Sequence, residues 1–196
     1  MKLLFVDNCV SQRGADSRTA ALCRAFLDRW REKHPDAAIK TVRPAELALR
    51  PFDPEMLNRR DSLFRAGRLE EPVFDLARQF RDADQILVGA PFWDLTFPAS
   101  LRIYIEYVCA NGVTYHYDAD GPHGDCRAAW LAYLTSGGDF ERPESLGVLY
   151  WKQLCGMFGI QQFDYVFAGG LDAAPEQAAE ILEEGCRKAR ALAETF

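Results

Sequence analysis

Apolar residues recur along this chain in two alternating patterns. Leu3-Leu4-Phe5-Val6 is an unbroken run, the mark of a strand covered on both faces, as in a parallel sheet. Leu22, Phe26, Leu27 and Trp30 follow at helical spacing, which predicts a helix to about Lys33, ahead of Pro35. Ala38–Val42 alternates and reads as a second strand. Helical spacing returns at Val73, Leu76, Ala77 and Phe80, and Gln85–Ala90 is a third strand. The next helix carries Leu101, Tyr104, Ile105 and Val108, with Thr96 near its cap, Pro98 in its first turn and Asn111-Gly112 at its end. Ala128–Thr135 is the fourth strand. Leu146, Leu149, Tyr150 and Leu154 mark a helix ending near Gly159, and Gln162–Ala168 is the fifth strand. A last helix, with Pro175 near its start, turns Ile181, Leu182, Cys186, Ala189 and Leu192 inward. About five strand–helix alternations predict one α/β domain over residues 1–196, a parallel sheet with helices on both faces.

Two segments depart from this rhythm. From Arg43 to Glu71, Pro44, Pro51 and Pro54 break the pattern. A short helix over part of Pro54 to Ala66 fits there, either as a lid or interface element or as a solvated excursion. Gly112 to Pro122 alternates and then reaches Asp120-Gly121-Pro122, a short extended excursion with a turn.

Composition narrows the partners more than the fold. The chain has 196 residues, 48% hydrophobic and 27% charged, with a formal net charge of −6. That balance argues against nonspecific binding to nucleic acid or anionic membrane. The N-terminal apolar run meets Asp7 at once, too soon for a signal peptide, and no stretch approaches the ~20 apolar residues of a membrane span. A cytoplasmic protein is expected. Cys9, Cys23, Cys109, Cys126, Cys155 and Cys186 form no CxxC pair, so reduced thiols, several of them in the core, are expected and no metal site. His123-Gly124-Asp125-Cys126 reads as a turn, and His34 as an exposed helix-end residue.

Ligands of open α/β sheets sit outside the carboxyl ends of the strands, and three unusual loops leave strand ends here. Asn8 to Thr19 joins the first strand to a helix. A helix N-terminus offers free N–H donors and the positive end of the dipole to a phosphate, to which Ser17 and Thr19 add hydroxyls and Arg18 a cation; an N-cap role for Asp16 or Ser17 explains the same residues. Pro91, Phe92, Trp93, Asp94 and Leu95 put two aromatics after a turn, as a ring wall or as core. Ser136, Gly137, Gly138 and Asp139 form either a shelf that lets backbone approach a flat ligand or a flexible turn. Together they fit a mononucleotide with a large planar head. FMN suits them better than ATP, because no lysine-bearing phosphate loop is present.

At these residues the chain resembles the flavodoxin-like NAD(P)H:quinone oxidoreductase and FMN-dependent NADH azoreductase family, over nearly its whole length. Ala90-Pro91 through Phe97, Leu101 and Tyr104, then Gly112-Val113-Thr114-Tyr115, Tyr117 and Gly121-Pro122-Gly124, follow family stretches of the kind APMYNF, LKNYFD, AGVTFRY and NGPEG. Ser17-x-Thr19-x-x-Leu22 is similar to SxSxxL, Thr135-Ser136-Gly137-Gly138 to TSRGG, and Gly156-Met157-Phe158-Gly159-Ile160 to GFIGI. The resemblance implies a flavodoxin-like three-layer sandwich with a five-stranded parallel sheet, assembled as a homodimer with each FMN near the interface. It implies that NADH or NADPH passes hydride to the flavin and that a small-molecule acceptor, quinone-like or an azo or nitro aromatic, then takes its place. By position, Ser17, Arg18 and Thr19 would hold the FMN phosphate with Cys9 nearby. Pro91, Phe92, Trp93, Asp94 and Leu95 would line the ring, Ser136, Gly137 and Gly138 would meet its other edge, and Tyr117 and Met157 would shape the substrate pocket, across the dimer or within the chain.

No side-chain nucleophile is needed, since the flavin carries the chemistry. His116 could donate a proton or a hydrogen bond to an acceptor, or point outward. Cys9 stands where the pattern has serine, Asp94 where it has asparagine, and Ser136-Gly137-Gly138-Asp139 lacks the pattern's arginine and adds a carboxylate. A flavodoxin-type electron carrier, or a binding protein that has lost its flavin, are the other functions these residues allow.

Overall fold

The computed structural model describes residues 1–10, 17–140 and 145–196. Ser11 to Asp16 of the first loop, including the alternative cap Asp16, lie outside the described residues. Five parallel strands, β1 (Lys2–Asp7), β2 (Ala38–Val42), β3 (Gln85–Gly89), β6 (Trp130–Ser136) and β7 (Gln162–Ala168), form one sheet in the order β2-β1-β3-β6-β7. Between β3 and β6, β4 (Tyr115–Asp118) and β5 (Gly121–Gly124) make a separate antiparallel hairpin. The sheet order reverses between β1 and β3, so their carboxyl ends part and leave a crevice.

Two helices, α1 (Arg18–Lys33) and α6 (Ala178–Thr195), cover one face of the sheet. Leu22, Phe26 and Trp30 of α1 and Cys186 and Ala189 of α6 are buried there with Leu3, Phe5 and Leu87. On the other face lie α4 (Ala99–Val108) and α5 (Leu146–Phe158), with Phe80 from the end of the short helix α3 (Asp75–Arg81). The three-layer sandwich expected from the resemblance is therefore present. The proline-broken segment does contain a helix, α2 (Pro54–Arg65), which begins at Pro54 with Asp53 as its N-cap and buries none of its residues.

Two expectations need correction. Thr96 does not cap α4. That helix begins at Ala99 with Pro98 in the cap position and no side-chain cap, and it stops at Val108, before Asn111-Gly112. The backbone N–H of Thr96 instead closes a turn onto the carbonyl of Trp93, at 2.8 Å. The inward stripe of α5 is also different: Leu146 and Leu149 are 52% and 40% exposed, while Val148, Trp151, Leu154, Cys155 and Phe158 are buried. Nearly every side of α5 is apolar, so periodicity alone offers several stripes. The core takes the one carrying the two large rings, Trp151 and Phe158, both fully buried, because they remove the most apolar area from water. His34 is half-buried against Trp30 rather than exposed, with ring centroids 4.9 Å apart.

The β4–β5 hairpin is docked at the amino ends of the strands. The N–H of Cys126 donates to the carbonyl of Phe158 at 3.2 Å, and that of Arg127 to Arg81 at 2.9 Å. Gly124 lies against the last turn of α5: a methyl group there would sit 2.0 Å from both Gly159 N and Phe158 C. Backbone cannot step aside as a flexible side chain can. Gly124→Ala is expected to destabilise the fold by about 1–3 kcal/mol, read as a lower urea midpoint at unchanged slope. An unmoved midpoint would mean that this docking is loose.

Candidate active site at the carboxyl ends of the strands

The loop after β1 turns under tight backbone control. The N–H of Asn8 donates to the carbonyl of Gly89 at 2.8 Å, that of Cys9 to Asp7 Oδ1 at 3.2 Å and that of Val10 to Asn8 at 2.9 Å. Ser17 is the N-cap of α1, and its hydroxyl oxygen accepts the N–H of Ala20 at 3.3 Å. Among the described residues, the first turn of α1 contains no acidic residue, and the positive end of a helix dipole favours an anion. The hydroxyls of Thr19 and Ser136 share a buried hydrogen bond of 2.6 Å, which ties the first loop to the end of β6. Arg18 leans across the opening, and its Nη1 donates to Asp172 Oδ1 at 2.7 Å.

Ser17, Arg18, Thr19, Pro91, Trp93, Ser136, Gly137, Gly138 and Asp172 line one cavity of about 260 Å³. The three loops singled out in the sequence therefore do converge. Asp172 was missed, because it lies past the last strand in a loop with no distinctive motif. Its place follows from Gly138: a methyl there would lie 2.4 Å from Asp172 Oδ2, so only bare backbone lets the carboxylate sit against the shelf. Gly137 is held likewise, with a methyl position 2.9 Å from Phe92 Cβ.

The other residues named for the site divide. Phe92 packs edge-on to Phe167 with centroids 5.2 Å apart and lies half-buried against Gly137, so its side chain does not line the cavity. Trp93 lines the cavity and is 47% exposed. Asp94 and Leu95 do not line it. They occupy the two central positions of the Trp93–Thr96 turn with φ of 48° and 68°, the left-handed pair of a type I′ turn. The departing carboxylate of Asp94 thus sits on a turn outside the cavity. Cys9 also falls outside, with its sulfur near Gly89 and Cys23. The Cys23 thiol is pushed well up by its hydrogen bond with Cys9 and by burial.

Tyr117 and Met157 are not brought to this cavity. Met157 is in the last turn of α5 and Tyr117 on the hairpin docked against it, which puts both at the amino ends of the strands. His116 lies there too. Its Nδ1 meets Asp125 Oδ2 at 2.8 Å, its ring stacks on His123 at 5.4 Å between centroids, and His123 Nε2 meets Asp118 Oδ1 at 2.9 Å.

The model of a flavodoxin-like fold family matches residues 1–193. The chain belongs to that flavodoxin-like family. An FMN-dependent NADH:quinone oxidoreductase of Clostridium perfringens is 31% identical, with 100% of this chain and 99% of the relative covered. Another of the same description from Bacillus licheniformis is also 31% identical, with the same coverage. The crystal structure of an azoreductase from Bacillus anthracis superposes with a TM-score of 0.88 at 26% identity, covering 100% of both chains. A second B. anthracis structure, an FMN-dependent NADH-azoreductase in complex with FMN, superposes at 0.82 with 15% identity over 99% and 97% of the two chains, a likeness of fold.

This flavodoxin-like chain fits a phosphate-bearing planar ligand on its own geometry. A helix N-terminus and a cation meet a side-chain-free shelf and a half-exposed indole in one cavity. The Trp93–Thr96 turn is strained, since a left-handed backbone costs an L-residue roughly 1–2 kcal/mol. Leu95 is 54% exposed and recovers little of that by burial. Leu95→Asn, which tolerates the left-handed region better, is expected to raise stability by about 1 kcal/mol in urea unfolding. A midpoint that falls would mean that Leu95 holds the turn by packing.

Proposed function

We propose that this protein is an FMN-dependent NADH oxidoreductase that delivers electrons to a quinone or azo acceptor. One observation carries the reading: the phosphate-type N-terminus of α1, the Gly137-Gly138 shelf and Trp93 meet in a single cavity at the carboxyl ends of the strands. Relatives named for this activity match over the whole chain. When bound, FMN supplies the redox chemistry, accepting a hydride from NADH and returning the electron pair to the acceptor.

The chain's own work is to bind, orient and shield. The free N–H groups of α1, the Ser17 hydroxyl and Arg18 would hold the phosphate. Asp172 keeps Arg18 extended over the opening until an anion competes for it; the pair is part-exposed and worth at most about 1 kcal/mol. Ser136, Gly137 and Gly138 would meet the ring with backbone, and Trp93 would cover an apolar face and exclude water. Ser136 is held in place for this by Thr19.

The reading extends to a cytoplasmic homodimer. Tyr117 and Met157 lie at the end of the sheet opposite the cavity. Between the two ends, Phe97, Leu146, Leu149 and Tyr150 flank an apolar hollow of about 390 Å³ on α4 and α5. Two copies packed antiparallel through this face would cover the exposed leucines and carry the hairpin of each toward the cavity of the other. Among the described residues no helix is long and apolar enough to cross a membrane.

The visible spectrum of the purified protein, titrated with FMN and then NADH, tests the function. A protein-bound flavin spectrum that bleaches with NADH and recovers on adding a quinone is expected. Bound flavin that does not bleach would favour an electron carrier, and no binding with excess FMN would remove every flavin-based reading. For the site, Arg18→Gln is expected to weaken FMN by about ten- to hundredfold and leave riboflavin, which lacks the phosphate, unchanged. Equal loss for both would show that Arg18 does not meet the phosphate.

A further inference from the structure

Cys9 and Cys23 come from different elements and meet at one point. Cys9 follows β1 at the start of the first loop, and Cys23 lies in α1. A methyl group at Gly89 would sit 2.3 Å from Cys23 Sγ and 3.7 Å from Cys9 Sγ. Both sulfurs therefore pack on the same bare Cα. They differ in access: Cys23 is 2% exposed, whereas Cys9 is half-buried beside the loop. An accessible thiol backed by a shielded one is the arrangement of an oxidisable cysteine and its resolving partner. The stretch between them holds Ser17, Arg18 and Thr19, so a bond joining them would close a ring around the phosphate-binding residues.

We propose that Cys9 and Cys23 form a reversible disulfide, made by a hydroperoxide, that loosens the hold on FMN. The inference rests on the cavity being the FMN site. In the first step the Cys9 sulfur attacks hydrogen peroxide. An S–O bond forms and the O–O bond breaks, sulfur is oxidised by two electrons to the sulfenic acid, and water leaves. In the second step the Cys23 sulfur attacks the Cys9 sulfur. The S–S bond forms, the S–O bond breaks, and the Cys23 proton leaves with the hydroxide as a second water. A dithiol reverses the change by exchange. Reduced flavins make hydrogen peroxide when dioxygen takes their electrons, so the proposed activity itself supplies the oxidant. Closing the bond ties the residues after β1 to α1, whose N-terminal end carries Ser17, Arg18 and Thr19.

Trypsin separates the two cysteines, placing Cys9 in residues 3–13 and Cys23 in residues 19–24. FMN-loaded protein is treated with hydrogen peroxide, blocked with an alkylating reagent and mapped without reductant, and FMN affinity is followed by flavin fluorescence. The expected result is these two peptides joined and lighter by two hydrogens, with FMN Kd raised about tenfold, the size of one weakened contact from the displaced α1 N-terminus. Dithiothreitol is expected to restore both. Cys23→Ala, which leaves the loop residues in place, is expected to bind FMN like the parent protein and to show no peroxide effect on Kd. Recovery of Cys9 as free thiol or as sulfinate, a different cysteine pairing, or joined peptides with unchanged Kd would each overturn the proposal. Reduced protein that takes up no FMN would count against the cavity assignment instead, since the joined peptides are read by mass alone.

Discussion

The approach of α1 to the seam between β1 and β3 controls much of this molecule. Gly89 ends β3 at that seam, and the space a side chain would fill there is taken by the sulfur of Cys23. On the other side of α1, Gly185 leaves room for Leu22, whose Cδ2 would be 2.9 Å from a methyl at that position. Two missing side chains let α1 lie close to both the sheet and α6. That closeness sets where its N-terminus points, and through Ser17, Arg18 and Thr19 it sets the floor of the cavity. The hydrogen bond from Asn8 to Gly89 holds the loop at the same seam.

The two ends of the sheet are built differently. At the amino ends, hairpin, α5 and the α3 terminus interlock through backbone hydrogen bonds and a glycine–glycine contact. At the carboxyl ends, Trp93 and Leu95 face solvent and two residues in succession hold a left-handed backbone. Strain and exposed apolar surface cost stability, and such features persist where a ligand or partner later covers them. The tightly packed end offsets the open one.

Charge follows the same division. A net charge of −6 would repel a phosphate ester at long range, within the reach of screening. The local field at the cavity is set instead by the α1 N-terminus and by Arg18, which is paired with Asp172. Asp94, which on paper opposes an electron-rich ring, sits on a turn outside the cavity.

Strand and helix identity was legible in the chain because buried strands and amphipathic helices leave different periods, and β2 and β7 begin and end where the pattern puts them. The three loops that line the cavity were legible because each follows a strand end and departs from the surrounding periodicity. What only tertiary structure decided was direction and neighbourhood. The core stripe of α5 depended on which of several apolar faces could seat Trp151 and Phe158. Phe92 and Trp93 are adjacent and aromatic, yet one faces Phe167 and the other the cavity, because backbone after a strand alternates its sides. Asp172, the Cys9–Cys23 contact and the removal of Tyr117 and Met157 to the far end join residues distant along the chain. A sequence records periods and local chemistry. It does not record which distant segments the folded sheet sets side by side.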